Sequence, residues 1–493
     1  PPIVSIPNTK KTVKQFGAKG DGLNDDTDIL QSIIDANEEL VFDGGTYIIN
    51  RTLNLKSGSK LTGLNGAIIK SGSSLTGTLS TFARFLNLSN VKDCTVSGLK
   101  FQSSSNNFKL SAWYNACLFV SNSTNNLIEN NNFDFKLPFS LNGFEAVWVT
   151  GPETDKTTIK NNKIYTLGIK YAENGASGTI VESNVIVNAH SNALTANGNS
   201  AKIITGCKLL NNSIENTGRM AIEDWGAVDG TVISGNIIVG TGKGLDQAHD
   251  GLGISAVGTN SIVTKNKITD AKFFYIEIGG NHNCIVENNE IFDTENLATG
   301  IIFNYTDKMP ANLTSSFAQA KNNIINGCQR GIYVFGINYS NCLISGNTLR
   351  NQSMRGVSVE SDSKSYDIQI VSNTFYLTLP NSKIRTAVNS YNTLPVGSAN
   401  QNLTVSKNIV NYAASAAGGV DKEYSFLLAT DNVKVLDNEV FGNNIKSGGS
   451  NVFAISSNGA KSTNVTIGNN KIHGAILDLN NYSNPSLYNN SVN

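Results

Sequence analysis

One short unit, an asparagine followed two positions later by an apolar side chain, recurs along most of the chain and limits what it can fold into. It stands at Asn131, Asn162, Asn184, Asn212, Asn236, Asn266, Asn289, Asn323, Asn347, Asn373, Asn408, Asn438, Asn470 and Asn490, at intervals of 20 to 35 residues. A unit this short cannot bury its own apolar face, so it must stack on copies of itself as a solenoid. The apolar positions keep step with the asparagines, which argues against a disordered asparagine-rich tract.

The stretch from Thr231 to Val257 shows the inner pattern. A β-prone segment (Val232, Ile233) runs into Asn236, a second follows (Ile237, Val239), then a variable loop, then a third from Gly253 to Val257. Three short strands per turn with period-2 patterning and no room for a helix predict an all-β chain wound as a parallel β-helix. Asparagine suits the sharp corner between the first two strands, because its side chain bonds local backbone and it tolerates left-handed φ. Stacked in register, the amides are expected to bond from rung to rung.

Near the start, Asn24-Asp25-Asp26-Thr27 precedes Ile29, Leu30, Ile33 and Ile34, which are apolar at helical spacing behind an acidic cap. A single amphipathic helix here has a physical task, to cover the open end of the core, and it should stop near Ala36-Asn37. Strands then begin with Leu40-Val41-Phe42 and Gly45 to Ile49. The sequence FGAKGDGLNDDT, a helix, then FDGGTYII resembles the start of the pectate-lyase-like right-handed β-helix proteins, which include phage tailspike depolymerases and secreted polysaccharide lyases, hydrolases and epimerases. The resemblance covers about 40 residues and implies a right-handed coil; as one fold hosts many chemistries, it is weak on reaction. The glycine-rich element lacks the Gly-Lys-Ser/Thr and the directly following helix of a phosphate loop. The expected organisation is therefore a lead-in, capping helix and first strands over 1–50, then a parallel β-helix over 51–493, with no separate C-terminal domain of the kind tailspikes often carry.

Charge excludes some partners. Lys plus Arg equal Asp plus Glu at 38 each, so neither nucleic acid nor an anionic membrane is suggested. No run of 18 apolar residues exists, and Pro1 to Thr12 lacks a signal-peptide core, although the missing methionine leaves a processed start and export open. Cys207, Cys284 and Cys342 precede the strand that leads to the corner in mostly non-adjacent rungs, which reads as core thiols rather than disulfides. No CxxC pairing or histidine spacing marks a metal site, so no metal is expected except a loop calcium that sequence does not reveal, and no cofactor is expected.

Aligning the third strand rung by rung places Val147, Ile169, Leu194, Ile222, Ile254, Ile276, Ile301, Ile332 and Val357 inward. The next residue in each then faces out, giving the column Trp148, Lys170, Thr195, Glu223, Ser255, Glu277, Ile302, Tyr333, Ser358. Two carboxylates, an ammonium and two aromatic rings in one stripe describe a sugar-binding groove. Glu223 and Glu277, two rungs apart, have backbones separated by roughly 9.6 Å. That favours an inverting glycosidase, whose acid and base stand about 6.5 to 9.5 Å apart, over a retaining one at about 5 to 5.5 Å. Ser255 between them is small enough to leave the gap open. Loops before the strand add Arg219, Lys243, Asp246, His249, Asp250 and Lys272, with His249 a candidate base oriented by Asp250. Trp225 and Tyr275 extend the outward surface, and Asp224 is a weaker acid that turns inward. Aromatic faces stack on sugars, and basic groups hold uronate or sialate carboxylates.

The leading expectation is an extracellular polysaccharide hydrolase, most like a tailspike acting on bacterial surface glycan, with Glu223 and Glu277 sharing acid and base roles. A lyase or C5-epimerase on a uronate polymer is the rival, using Lys170, Arg219, Lys272, Tyr275 and His249. A non-catalytic glycan-binding adhesin is the third. The resemblance implies a homotrimer for a tailspike and a monomer for a secreted enzyme.

Overall fold

A computed structural model of the chain describes residues 11–75, 83–103, 115–139, 144–199, 201–244, 251–279, 282–304, 317–335, 340–361, 367–377, 384–392, 402–412, 422–442, 452–456, 462–480 and 482–493. It contains two compact units, residues 1–251 and 252–493. In each, the strands fall into three long sheets, apart from a two-stranded sheet of Ile204–Thr205 and Val228–Asp229 in the first, and every described strand pairing is parallel. The first sheet holds the strands that run into the asparagine corner, the second those that leave it, and the third those that follow the variable loop. This is the expected β-helix.

The core follows from period-2 alternation. In the first unit Val96, Ile128, Ile159, Val181, Leu209 and Ile233 stack along the first sheet, all fully buried. Ile164, Ile186, Ile214 and Ile238 do so on the second. There Phe101 and Phe133 stack face to face on adjacent rungs, centroids 5.1 Å apart. All nine residues expected inward on the third sheet are buried. Each such side chain contributes about 1.5 to 3 kcal/mol relative to exposure.

Within each unit the asparagines bond from rung to rung, from Asn131 to Asn236 in the first and from Asn266 to Asn490 in the second. Asn184 shows the arrangement. Its backbone N–H and its Nδ2 both donate to Asn212 Oδ1, each at 3.0 Å, and Nδ2 also donates to Ile159 O at 2.9 Å. Its own Oδ1 accepts from Asn162 N and Nδ2 at 3.0 and 2.9 Å. Asn323 repeats the pattern in the second unit, accepting from Asn289 and donating to Asn347 and Val286 O. Left-handed backbone falls elsewhere than expected. The ladder residue is not left-handed; the residue before it is, as at Asn161, Ser183, Asn211, Lys265, Asn288, Asn322, Ser372, Lys407 and Asp437, with φ from 54° to 58°. Turning the chain one residue earlier leaves the ladder amide free to point inward and span the rungs.

The helix spans Thr27–Ala36 and ends at Asn37, with Leu30, Ile33 and Ile34 buried. Its cap differs from the simple acidic expectation. Asp26 makes no capping bond; its carboxylate accepts Lys19 N and Gly20 N at 2.7 and 3.0 Å, while Asp25 Oδ1 accepts Thr27 N at 2.9 Å. Asp26 is thus spent on the glycine loop, where Gly20 has φ +58° and a Cβ would meet the Tyr47 ring at 2.7 Å. The acidic segment itself is a strand, Asp21–Asp25, paired with Thr46–Ile49. Its exposed polar side chains hide it from a search for alternation. No helix among the described residues is long and apolar enough to cross a membrane. All six cysteines are free and buried.

Candidate functional site

The outward column of the third sheet exists in register within each unit. In the first, Phe119, Trp148, Lys170, Thr195 and Glu223 are direct partners on successive strands. In the second, the sequence of partners is Ser255, Glu277, Ile302, Tyr333 and Ser358. Glu223 belongs to the first unit and Glu277 to the second, and each has its own surroundings.

In the first unit the column is a sealed polar network more than an open stripe. Trp148 is 2% exposed and Lys170 7%. Trp148 Nε1 donates to Glu173 Oε2 at 2.9 Å, and Thr150 Oγ1 donates to the same oxygen at 3.2 Å. Lys170 Nζ pairs with Glu173 Oε1 at 3.5 Å and lies 4.3 Å from the Trp148 ring centroid. Glu173 escaped the sequence reading because the register shifts between Lys170 and Ala172, a bulge that lets Tyr171 turn inward and returns Glu173 to the outer face. Asn87 extends the column in register with Phe119, and Arg84 on the same strand places its guanidinium 3.4 Å from the Phe119 ring centroid. Burial pushes that guanidinium down to about 10.

Glu223 is half-buried, and Asn192 Nδ2 donates to its Oε2 at 2.7 Å. Asn192 is in turn held by Met220 N, which donates to its Oδ1 at 3.0 Å. A carboxylate oriented by an amide that the backbone itself fixes is a positioned group. Asp224 turns fully into the core, as its inward reading expected, so it cannot reach a polymer on the outer face and is withdrawn as an acid for the reaction. Its Oδ1 accepts from Tyr171 Oη at 2.7 Å and Thr231 Oγ1 at 3.3 Å, while its Oδ2 is buried with no partner among the described residues. Burial raises its pKa to about 6, against the lowering effect of those two hydroxyls. Arg219 and Trp225 are half-buried near the strand Ile222–Gly226, and Lys243 is exposed. Asp246, His249 and Asp250 lie outside the described residues.

In the second unit Glu277 is 7% exposed. Ser255 Oγ donates to its Oε2 at 2.7 Å and Asn304 Nδ2 to its Oε1 at 3.0 Å. Ser255 is thus a donor to the carboxylate, more than the small spacer expected. Tyr275 corrects the expectation of an outward ring: it is fully buried, and its hydroxyl donates to Phe292 O at 2.9 Å. Both Tyr275 and Ile276 are buried, so alternation breaks at the strand's entry and Tyr275 closes the core instead of presenting a sugar platform. Lys272 is exposed, 5.5 Å from the Phe273 ring centroid. Tyr333 does stand on the outer face, half-buried, with its hydroxyl on Glu360 Oε2 at 3.0 Å and the Arg330 guanidinium 4.9 Å from its ring centroid. Glu360 also accepts from Ser358 Oγ at 2.7 Å and pairs with Arg355. Arg330, Arg355, Glu360, Asn192 and Asn304 were missed, since each lies two or three residues from the column, toward the strand ends. Among the described residues no group of three or more His, Cys, Asp or Glu side chains is placed to hold a metal ion.

Parallel rungs, an inward apolar stack and an outward polar column define a β-helix protein. The model of the right handed beta helix region matches residues 84–252 and 246–375, more than half of the chain, and the chain belongs to that family. Among solved structures, PfbA, a surface adhesin of Streptococcus pneumoniae, is similar at TM-score 0.54 and 17% identity, over 75% of this chain and 90% of that one. A thermostable alpha-1,3-glucanase from Streptomyces thermodiastaticus aligns at TM-score 0.41 and 13% identity, over 93% of this chain and 70% of its own. A probable glucan endo-1,3-beta-glucosidase of Arthroderma benhamiae is 42% identical over 55 residues, which is 10% of this chain and 6% of that protein's length.

Proposed function

We propose that the chain is an extracellular polysaccharide depolymerase of the glycoside hydrolase type, acting on a bacterial surface glycan in the manner of a tailspike. The observation that carries this is Glu223, a half-buried carboxylate on the outer face of the third sheet, in register with half-buried Thr195 beside a column whose Trp148 and Lys170 are sealed. A row of side chains repeating about every 4.8 Å suits an extended polymer more than a small molecule. Glu223, half-buried and held by Asn192, is the carboxylate assigned to proton transfer. Glu277 is assigned the same class of role, its two oxygens oriented by Ser255 and Asn304. The short match to a probable glucan endo-1,3-beta-glucosidase supports a glycosidic bond as the target. Trimeric assembly belongs to the tailspike form of this reading, and sedimentation analysis checks it.

The test is incubation with a panel of capsular and plant polysaccharides followed by analysis of the product ends. Reducing ends without an ultraviolet chromophore are expected. Products carrying a new conjugated double bond would replace the hydrolase reading with a lyase. A glycan-binding adhesin is the second reading, favoured by one feature: the outer-face carboxylates Glu173 and Glu277 are little exposed and already engaged by neighbours. It predicts binding to a glycan with no new ends at any incubation time.

A further inference from the structure

We propose a subsite for an anionic sugar, carboxylated or sulfated, on the third sheet of the second unit, built by Arg330 and Arg355 with Tyr333 and Phe335 beside them. It rests on the glycan-binding reading above and specifies the substrate class. Arg330 and Arg355 are direct partners on adjacent strands, so their backbones are about 4.8 Å apart. Cations carried on adjacent strands repel one another unless anions compensate them. Glu360 supplies one carboxylate, and it is committed: it pairs with Arg355 and accepts from Tyr333 and Ser358. Arg330 makes no ion pair among the described residues. Its Nη1 donates to the Gln329 amide oxygen at 2.8 Å, its plane lies over Tyr333, and its Nε is buried without an acceptor. Burial, and then the charge of Arg330, hold the Arg355 guanidinium below its usual range.

A half-buried planar cation with no carboxylate partner among the described residues, beside a second cation sharing one carboxylate, is complemented by a planar or tetrahedral oxyanion. The neighbouring rings say what carries that anion. Phe335 is 41% exposed and its centroid lies 5.3 Å from that of Tyr333, giving an apolar surface next to the charge. A sugar offers both parts, a C–H face for the ring and an acidic substituent for the arginine.

The test uses the full chain and four small probes, D-glucuronate, N-acetylneuraminate, D-glucose 6-sulfate and D-glucose, titrated by calorimetry or ligand-observed NMR. At least one acidic sugar is expected to bind tenfold or more tightly than glucose, and whether it is carboxylated or sulfated names the source of the anion. Arg330→Gln should weaken that binding about tenfold with unchanged circular dichroism. Glu360→Gln should tighten it several-fold, because the competing internal carboxylate is gone, whereas a purely structural ion pair predicts lost stability and no gain in binding. Equal affinity for glucose and the acidic sugars, or unchanged binding in Arg330→Gln, overturns the subsite. Cleavage of a glycan panel is read separately. Cleavage without acid preference sinks the subsite alone, and acid preference without cleavage sinks the hydrolase reading alone.

Discussion

Asp224 sits in the core of the first unit with two hydroxyls on one carboxylate oxygen and the other oxygen buried without a partner among the described residues. Its folded pKa, about 6, is raised above the ordinary value of 3.8 by burial. The folded state therefore holds this proton more tightly than the unfolded chain. The associated stability is fully present below about pH 4 and is lost as pH rises through 6, at a cost of about 3 kcal/mol above that range. Asp224→Asn keeps an acceptor for Tyr171 and removes the charge. The variant is expected to be more stable than the parent at pH 7.5 by up to about 3 kcal/mol, with the gap closing toward pH 4.5, as measured by urea unfolding at both values. An equal gap at the two pH values would mean that the carboxylate is not the source. On the outer face, Glu223→Gln is expected to cut glycan turnover by about 100-fold or more while leaving the circular dichroism unchanged. Full activity on the correct glycan would remove Glu223 from the reaction.

At the scale of the element, the asparagine corner joins sequence to stability. An interior ladder amide such as that of Asn323 satisfies a backbone N–H, a neighbouring amide and a carbonyl, all of them buried. Truncating one orphans its partners as well as losing its own bonds. Asn323→Ala is expected to destabilise by about 3 to 5 kcal/mol, because buried donors on Asn289 and the Val286 carbonyl lose their partner. Asn490→Ala, at the half-exposed end of the ladder, should cost about 1 to 2 kcal/mol, since water can take over. Comparable losses in the two variants, followed by thermal unfolding, would mean that the ladder follows the coil without supporting it. The repeat spacing exposed this element because the demand is local: one corner per rung, one amide per corner. The left-handed residue was misplaced by one position because spacing alone cannot say which side of a corner bends.

For the whole molecule, the winding of strands in each unit into a coil that buries an apolar column explains the thiols. All six cysteines are buried, and burial raises Cys94 to about 11 and Cys207 to about 12. In native conditions they should resist a thiol reagent such as dithionitrobenzoate, and six should react once the chain is unfolded. Prompt reaction of any in the native protein would show an open core. The amphipathic helix Thr27–Ala36 belongs to the same scale, its buried Leu30, Ile33 and Ile34 closing the first unit where the strands begin.

Periodicity by itself determined the coil, the inward column, the asparagine ladder, the capping helix and the unpaired thiols. Each is a short-range pattern repeated until no other packing can bury it. Which outward side chains remain on the surface was decided only by tertiary structure. The bulge at Tyr171 brings Glu173 onto Lys170, and the break before Ile276 sends Tyr275 into the core. Arg330 and Arg355 meet because strands 25 residues apart in the chain are neighbours in the sheet. Alternation predicts direction only where a strand is regular, and these side chains stand where it is not.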